Sequence, residues 1–222
     1  MKATTVALPF SGWWLVQNSP ADRVPSHGVD IWGQRYAIDF VGVDERGRSA
    51  DERDWRTVLS TEPPERFFSH GRPILAPVDG RIVVVHDGEP DHPARRSQLA
   101  LVPYALGQRG RVRQGPHAIA GNHIAIRDHA TGTYVWLAHL RRGSLRVAVG
   151  DETTVGRPLA ECGNSGNSTQ PHLHLQVTDT PDPWTAAGVP FEIDRYRERT
   201  PGRAEPPPAA PGVPRNGALV SP

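Results

Sequence analysis

Alternation of apolar and polar residues predicts most of the regular structure in this chain. The pattern predicts strands over residues 35–43, 121–128, 133–140 and 170–177, and in the last of these one face is polar and the other apolar. The short stretch HATG joins the second and third of these segments, and a Gly-containing turn of that length is typical of a β-hairpin. The pattern therefore predicts an all-β fold built on an antiparallel sheet.

The same pattern suggests three regions. Residues 1–26 form an N-terminal strand with a lead-in loop, and residues 27–193 form the main domain. Residues 194–222 form a Pro/Ala-rich tail that we expect to be disordered. Two long polar excursions interrupt the main domain, near residues 44–72 and 87–121. Long irregular segments in compact domains are often functional, so we expect both to wall a groove on a curved sheet.

Each excursion carries one short predicted element. A helix is expected near residues 51–59, and the second excursion contains a short apolar strand, LALVPY.

Composition narrows the possible functions. The formal net charge is +1, which gives no electrostatic argument for binding nucleic acid or an anionic membrane. No signal peptide and no apolar run of about 20 residues is visible, so the sequence by itself predicts a cytoplasmic protein without a transmembrane segment. Cys162 is the single cysteine, which excludes an intramolecular disulfide and a thiolate-rich metal site.

Polar residues that bind metals occur on the predicted strands. His172 and His174 are two residues apart, so both imidazoles project from the same face of their strand. One of them could bind a metal while the other reaches a water or substrate on it. Asp39 lies in the middle of an otherwise apolar strand, where a carboxylate is costly to bury unless it is paired or coordinated. His139 lies near the end of the strand over 133–140.

This donor set favours zinc. His and Asp ligands without Cys are typical of a catalytic Zn²⁺ site, in which three protein ligands leave a fourth position for water. Zinc lowers the pKa of that water to about 7, and a neutral imidazole nearby can act as a general base.

The order of motifs resembles the lysostaphin-like, or LytM-type, zinc metallopeptidases, which cut peptide bonds in bacterial peptidoglycan. The resemblance covers roughly residues 27–192 and depends on the segments YAIDF, ILAPVDGRIVVV, GNHIAI, YVWLAHL, VAVGDETTVGRPLAECGNSGNSTQPHLHLQV and GVPFEI. It implies the duplicated-hybrid-motif, lysostaphin-like peptidase fold, in which a curved antiparallel sheet carries a loop-walled groove.

The resemblance also implies roles for individual residues. Asp39 and His174 correspond to zinc ligands, and His139 and His172 to the catalytic pair that orients and deprotonates the attacking water. The expected cofactor is one Zn²⁺ per chain. The expected substrate is peptidoglycan or another peptide, cut by a monomeric enzyme that binds no nucleic acid. The resembling family usually acts outside the cytoplasm, in contrast to the absence of a visible export signal.

The chain departs from the family pattern at one ligand. Most members carry a His four residues before the Asp, and Arg35, which stays protonated and cannot bind a metal, occupies that position here. His27, 12 residues before Asp39, is the best replacement, because the intervening segment could loop back to the start of the strand. His70 is the reserve candidate, and a degenerate two-ligand site is the remaining possibility.

Three other functions stay open. Arg35 would suit a non-catalytic relative that acts as a binding or activator module. The segment APVDGRIV would suit a carrier or phosphotransfer domain, although the turn has no lysine to modify and phosphotransfer would not need Asp39. The missing export signal would suit a zinc peptidase that acts on peptides outside the cell wall.

Overall fold

The computed structural model describes residues 4–51, 54, 57, 59–95, 115–199 and 211–222. Strands dominate these residues: β1 Thr4–Val6, β2 Trp14–Gln17, β3 Ile38–Gly42, β4 Pro73–Leu75, β5 Gly80–His86, β6 Asn122–Asp128, β7 Tyr134–Leu140, β8 Glu152–Thr153, β9 Pro158–Glu161, β10 Leu173–Thr178, β11 Phe191–Ile193, β12 Arg197–Arg199 and β13 Leu219–Ser221. A single-turn helix, α1, covers Pro116–Ala120, and two 3₁₀ turns cover Gln34–Tyr36 and Pro64–Arg66.

A large antiparallel sheet forms the frame of the molecule. Within the described residues it has nine strands in the order β12-β13-β2-β3-β10-β7-β6-β5-β8. Two smaller sheets pair β1 with β11 in parallel and β4 with β9 antiparallel. The large sheet begins at one edge strand and ends at another, so it is open rather than closed into a barrel. The predicted all-β class with an antiparallel sheet is confirmed.

The apolar core lies against one face of the large sheet. It joins residues of the central strands, including Phe40, Leu137 and Leu175, with residues of the small sheets such as Ile74 and Ile193. Because successive side chains on a strand alternate between the two faces, the residues between these apolar positions point to the opposite face. That opposite face carries the candidate site.

Strand register places two of the predicted site residues side by side. Asp39 on β3 lies directly opposite His174 on the neighbouring strand β10, and His174 in turn lies opposite Ala138 on β7. Residues directly opposite each other on adjacent strands have side chains on the same face within contact distance. The three central strands therefore bring together residues that are far apart in the sequence.

The C-terminal residues differ from the expected disordered tail. Leu219–Ser221 forms β13, which pairs with β2 and β12 inside the large sheet. Ala218, Leu219 and Val220 are buried and provide the apolar anchors that the Pro-rich composition concealed. The N-terminal strand β2 and the C-terminal strand are thus part of the same sheet as the predicted domain 27–193. Residues 200–210 lie outside the described residues.

The two excursions do not contribute equally to the groove. The described part of 44–72 packs elsewhere: Ala50, Phe67 and Ala94 form a small separate core, and Ser69 Oγ accepts a hydrogen bond from the backbone N–H of Gly42. In the second excursion, α1 lines the groove. The strand LALVPY lies outside the described residues, as does much of the helix expected near 51–59.

Among the residues that the structure covers, no helix has the length and apolarity needed to cross a membrane.

Candidate active site

The buried carboxylate of Asp39 is the centre of the candidate site. It is 5% exposed and accepts a hydrogen bond from Asn18 Nδ2 at 2.7 Å. His27 Nε2 lies 3.0 Å from Oδ2, and His174 Nδ1 lies 2.9 Å from Oδ1. Burial alone would raise the pKa of Asp39, but the imidazoles of His27, His172 and His174 outweigh it and hold the pKa well below its usual range. Asp39 is therefore a carboxylate at neutral pH.

His27 reaches this carboxylate from the loop before β3. Its other ring nitrogen, Nδ1, lies 3.0 Å from Ser26 Oγ, and that hydroxyl donates to the Gln34 carbonyl. An ionised carboxylate can only accept hydrogen bonds, so Nε2–H of His27 donates to Asp39 Oδ2. Arg35 instead pairs with Asp30 near the surface. The loop thus brings His27 to the cluster and keeps the arginine out of it.

His174 is held from both sides. Nδ1 contacts Asp39, and Nε2 donates to Gln176 Oε1 at 2.9 Å. Gln176 Nε2 donates in turn to the Trp32 carbonyl at 2.8 Å, which ties β10 to the loop that carries His27. Burial lowers the pKa of His174, but the hydrogen bonds and charge of Asp39, together with Gln176, raise it above the usual value.

The positions of His27, Asp39 and His174 suit a metal ion. One ligand atom from each residue can be chosen so that all three atoms lie within 4.8 Å of one another. Two imidazole nitrogens and one carboxylate oxygen form a donor set that suits Zn²⁺. Hydrogen bonds to Ser26, Asn18 and Gln176 orient these groups, as the hydrogen-bonding partners of zinc ligands do in zinc sites. The roles of these three residues as ligands stay a prediction.

The reserve candidate, His70, lies elsewhere. Its Nε2 is 3.9 Å from Asp91 Oδ1, and His70 does not line the cavity around Asp39.

His139 and His172 lie beside the cluster as a pair, with ring centroids 4.6 Å apart. Nδ1 of His139 donates to the Ser165 carbonyl at 2.9 Å, and Nδ1 of His172 donates to the Gln170 carbonyl at 2.8 Å. Burial lowers the pKa of both imidazoles, that of His139 especially far. Both rings are therefore neutral near pH 7, and each has a proton on Nδ1 and a basic lone pair on Nε2.

A bulge in β7 aims His139 into the groove. Alternation along the strand predicts that His139 shares the core-facing side with Leu137, opposite to Trp136. His139 instead adopts a left-handed backbone conformation with φ of 61°, and two residues of β7 face one residue of β6 at this point. The prediction that Trp136 lies away from the site is wrong, because the extra residue places His139 and Trp136 on the same side.

A cavity of about 500 Å³ extends from these residues along the sheet. Segments before β3, around α1 and before β10 form its walls, and all five predicted site residues line it: His27, Asp39, His139, His172 and His174. The structure thus brings together every residue that the sequence analysis singled out for the site.

Three further histidines form a stack that sequence reasoning missed. The rings of His86, His117 and His123 lie 4.7–5.3 Å apart and nearly parallel, and His123 also contacts Trp136 at 5.7 Å. The sequence alone predicts a surface position for His123, although its place on the strand would also let it line the groove, and in the structure it is 2% exposed. Alternation puts His123 on the groove side of β6. The burial of that side depends on the bulge in β7 and on α1, which the alternation does not predict.

Similarity to known proteins supports the class of protein suggested by this geometry. The family model described as Peptidase family M23 matches residues 105–185. The match confirms the resemblance to the lysostaphin-like, or LytM-type, family predicted from the motifs. The matched segment contains His139, His172 and His174, while His27 and Asp39 lie before it.

Several solved structures are distantly similar to this chain. The catalytic domain of lysostaphin from Staphylococcus simulans is 18% identical, with 80% of this chain and 88% of that chain covered and a TM-score of 0.40. A mutant catalytic domain of the prophage-encoded M23 protein EnpA from Enterococcus faecalis is 19% identical, with 64% and 93% covered and a TM-score of 0.35. A zinc containing peptidase from Vibrio cholerae is 21% identical, with 64% and 46% covered and a TM-score of 0.32.

The histidine stack predicts loss of stability in acid. Burial, with the neighbouring rings of His86 and His117, lowers the pKa of His123 to about 4, against an unfolded value of about 6.5. The folded state therefore disfavours the protonated ring, and the stability present above pH 6.5 is lost as the pH falls toward 4, by about 3 kcal/mol in total.

Denaturant unfolding between pH 7 and pH 4 measures this loss. The variant His123→Phe keeps a ring in the stack without a titrating group, so its free energy of unfolding should depend less steeply on pH. His129→Phe, at an exposed turn, should keep the wild-type slope. Equal slopes for wild type and His123→Phe would contradict the assignment.

Proposed function

We propose that this chain is a zinc-dependent metalloendopeptidase that hydrolyses peptide bonds, with peptidoglycan cross-bridges or stem peptides as its first candidate substrates. The observation that carries the proposal is the convergence of His27, Asp39 and His174 beside two neutral imidazoles in one cavity. The similarity to Peptidase family M23 supports the peptidase class.

The ligands proposed for Zn²⁺ are His27 through Nε2, Asp39 through a carboxylate oxygen and His174 through Nδ1. Bound zinc supplies Lewis-acid chemistry, which polarises a carbonyl and lowers the pKa of water to about 7. The raised pKa of His174 means that its Nδ1 proton must leave before the ring can act as a ligand, so metal binding releases this proton.

His139 and His172 are proposed to move protons during hydrolysis. Their Nδ1–H groups are held by the carbonyls of Ser165 and Gln170, so Nε2 is the nitrogen that can accept a proton from the attacking water. The same nitrogen, once protonated, can donate to the developing oxyanion or to the leaving amine. Because both rings are neutral at the outset, either can take the first proton.

A second substrate class is favoured by the walls of the cavity. Peptides from outside the cell wall are an alternative because no export signal is visible. Several apolar side chains line the cavity that contains the catalytic pair, among them Ile31, Ile119 and Trp136. Apolar lining gains free energy when a large apolar side chain covers it and gains little from a glycine, so it favours a peptide with larger apolar side chains.

Two variants separate zinc binding from catalysis. His27→Ala removes a ligand, and zinc affinity should fall at least about a hundredfold, beyond the roughly 10–100-fold typical of outer partners. His172→Ala should keep near wild-type zinc affinity, while kcat falls about 10²–10⁴-fold because the proton acceptor is lost. Competition with a chelating dye measures affinity, and release of new amino groups from purified peptidoglycan and from mixed peptides measures activity.

The exposed His129 provides the matched control, since His129→Ala should change neither quantity. Unchanged zinc affinity in His27→Ala would contradict the proposed ligand set. Zinc binding by the wild type without cleavage of any peptide would leave a non-catalytic binding module, the function that Arg35 originally suggested.

Gln176 offers a prediction about the outer contacts. Gln176→Leu removes the acceptor for His174 Nε2 and the donor to the Trp32 carbonyl, so zinc affinity should fall roughly 10–100-fold. Gln176→Glu keeps an acceptor for His174 and loses only the donor, so its affinity should lie between those of Gln176→Leu and wild type. The control is Thr154→Leu, at an exposed position away from the cavity. Equal affinities for Gln176→Leu and wild type would show that these contacts do not position the ligand.

A further inference from the structure

The cavity that contains the candidate site is lined by few charged side chains among the described residues. The whole chain carries 25 Lys and Arg and 24 Asp and Glu residues. Among the described residues that line the cavity there is no Lys, Arg or Glu, and Asp39 is the single aspartate. Its carboxylate is already engaged by Asn18, His27 and His174. Among the described lining residues, no Lys, Arg or Glu is therefore available to pair with a charged substrate side chain.

Apolar side chains from three elements line the cavity. Val29, Ile31 and Trp32 line it from the loop that follows His27, and Ile119 lines it from α1. Trp136 lines it from β7, and its indole N–H donates to Thr178 Oγ1 at 2.8 Å, so the indole is held in place. The volume of about 500 Å³ lies within the range of roughly 300–1,000 Å³ typical of ligand pockets.

The mouth of the cavity exposes more apolar surface than stability requires. Val29 is 45% exposed, Ile31 is 40% exposed, and Trp184, which contacts Trp32 at 6.3 Å, is 68% exposed. These three are among the seven large apolar residues classed as exposed within the described part of the chain, and they gather at one place. Clustered exposed apolar residues mark a binding surface far more often than scattered ones do.

We infer that the apolar part of this cavity, lined by Ile31, Ile119 and Trp136, is a subsite for one large apolar side chain of the peptide substrate, adjacent to the bond that is cut. The inference rests on the proposed function and deepens it, because it assigns the enzyme to peptides with an aromatic or branched aliphatic residue at this position. A glycine there would leave the walls hydrated, whereas a Phe or Leu side chain removes both its own surface and that of Ile31, Ile119 and Trp136 from water.

Peptides of matched length test this assignment. In one set a variable residue, Gly, Ala, Leu, Phe or Lys, precedes a fixed glycine, and in a second set it follows the glycine. Cleavage of each peptide by the zinc-loaded wild-type protein is followed by mass spectrometry. For at least one of the two orders, kcat/KM should rise from Gly to Leu or Phe by roughly tenfold or more, the scale of apolar pocket discrimination. Lys, which is long but charged, should not show the increase.

Variants at the mouth then locate the preference. Ile31→Asp places a carboxylate at a half-exposed position where folding is little affected, and it should abolish the advantage of Leu and Phe over Gly. Ile31→Leu should keep that advantage. Val155→Asp is the control, because Val155 is 51% exposed and lies away from the cavity.

The affinity of the same peptides for the His139→Ala variant, which lacks one of the two proposed catalytic imidazoles, measures binding separately from cleavage. It therefore distinguishes failure of this inference from failure of the proposed function. Cleavage with Gly-Gly peptides preferred over Leu and Phe would overturn the subsite and leave the peptidase. Tight binding of Leu and Phe peptides without cleavage by wild type would support the subsite and overturn the peptidase. Equal binding and equal cleavage of the whole series would overturn the subsite.

Discussion

The buried carboxylate of Asp39 is the constraint on which the site depends. A charge on a strand that also supports the core is costly unless polar partners surround it. Asn18 provides one partner, and His27 and His174 provide two more from different elements. These contacts bring the end of β2, the loop before β3 and the central strand β10 to one point. An arrangement that satisfies the carboxylate in this way also leaves imidazole nitrogens and carboxylate oxygens close enough to share a metal ion.

The site combines a polar part and an apolar part that do different work. The polar part holds His139 and His172 in one protonation state through carbonyl acceptors at Nδ1, which leaves Nε2 available for chemistry. The apolar part carries almost no charge and suits recognition of an uncharged side chain. Gln176 links the two, because it contacts His174 at one end of its amide and the loop that bears Trp32 at the other. A change in the loop can therefore affect both ligand geometry and substrate choice.

Sequence reasoning reached those features that follow from strict alternation. It predicted the central strands, and alternation places Asp39 and His174 on the faces where the register later sets them opposite each other. It could not predict the position of His139, because one extra residue in β7 reverses the face of every residue beyond it. The strand β13 at the end of the tail was missed for another reason: Leu219 and Val220 are too short a run to show periodicity, and only pairing with β2 buries them. The proposed replacement of a ligand at Arg35 by His27 depends on a loop whose path no periodic pattern encodes.

The most direct test of the central claim is a crystal structure of the zinc-loaded protein, with diffraction data collected on both sides of the zinc absorption edge. The account predicts one anomalous peak per chain, about 2.0–2.2 Å from His27 Nε2, a carboxylate oxygen of Asp39 and His174 Nδ1. It also predicts that His139 and His172 lie near the metal without binding it. No peak at this position, or a peak held without His27, would contradict the ligand set and the function built on it.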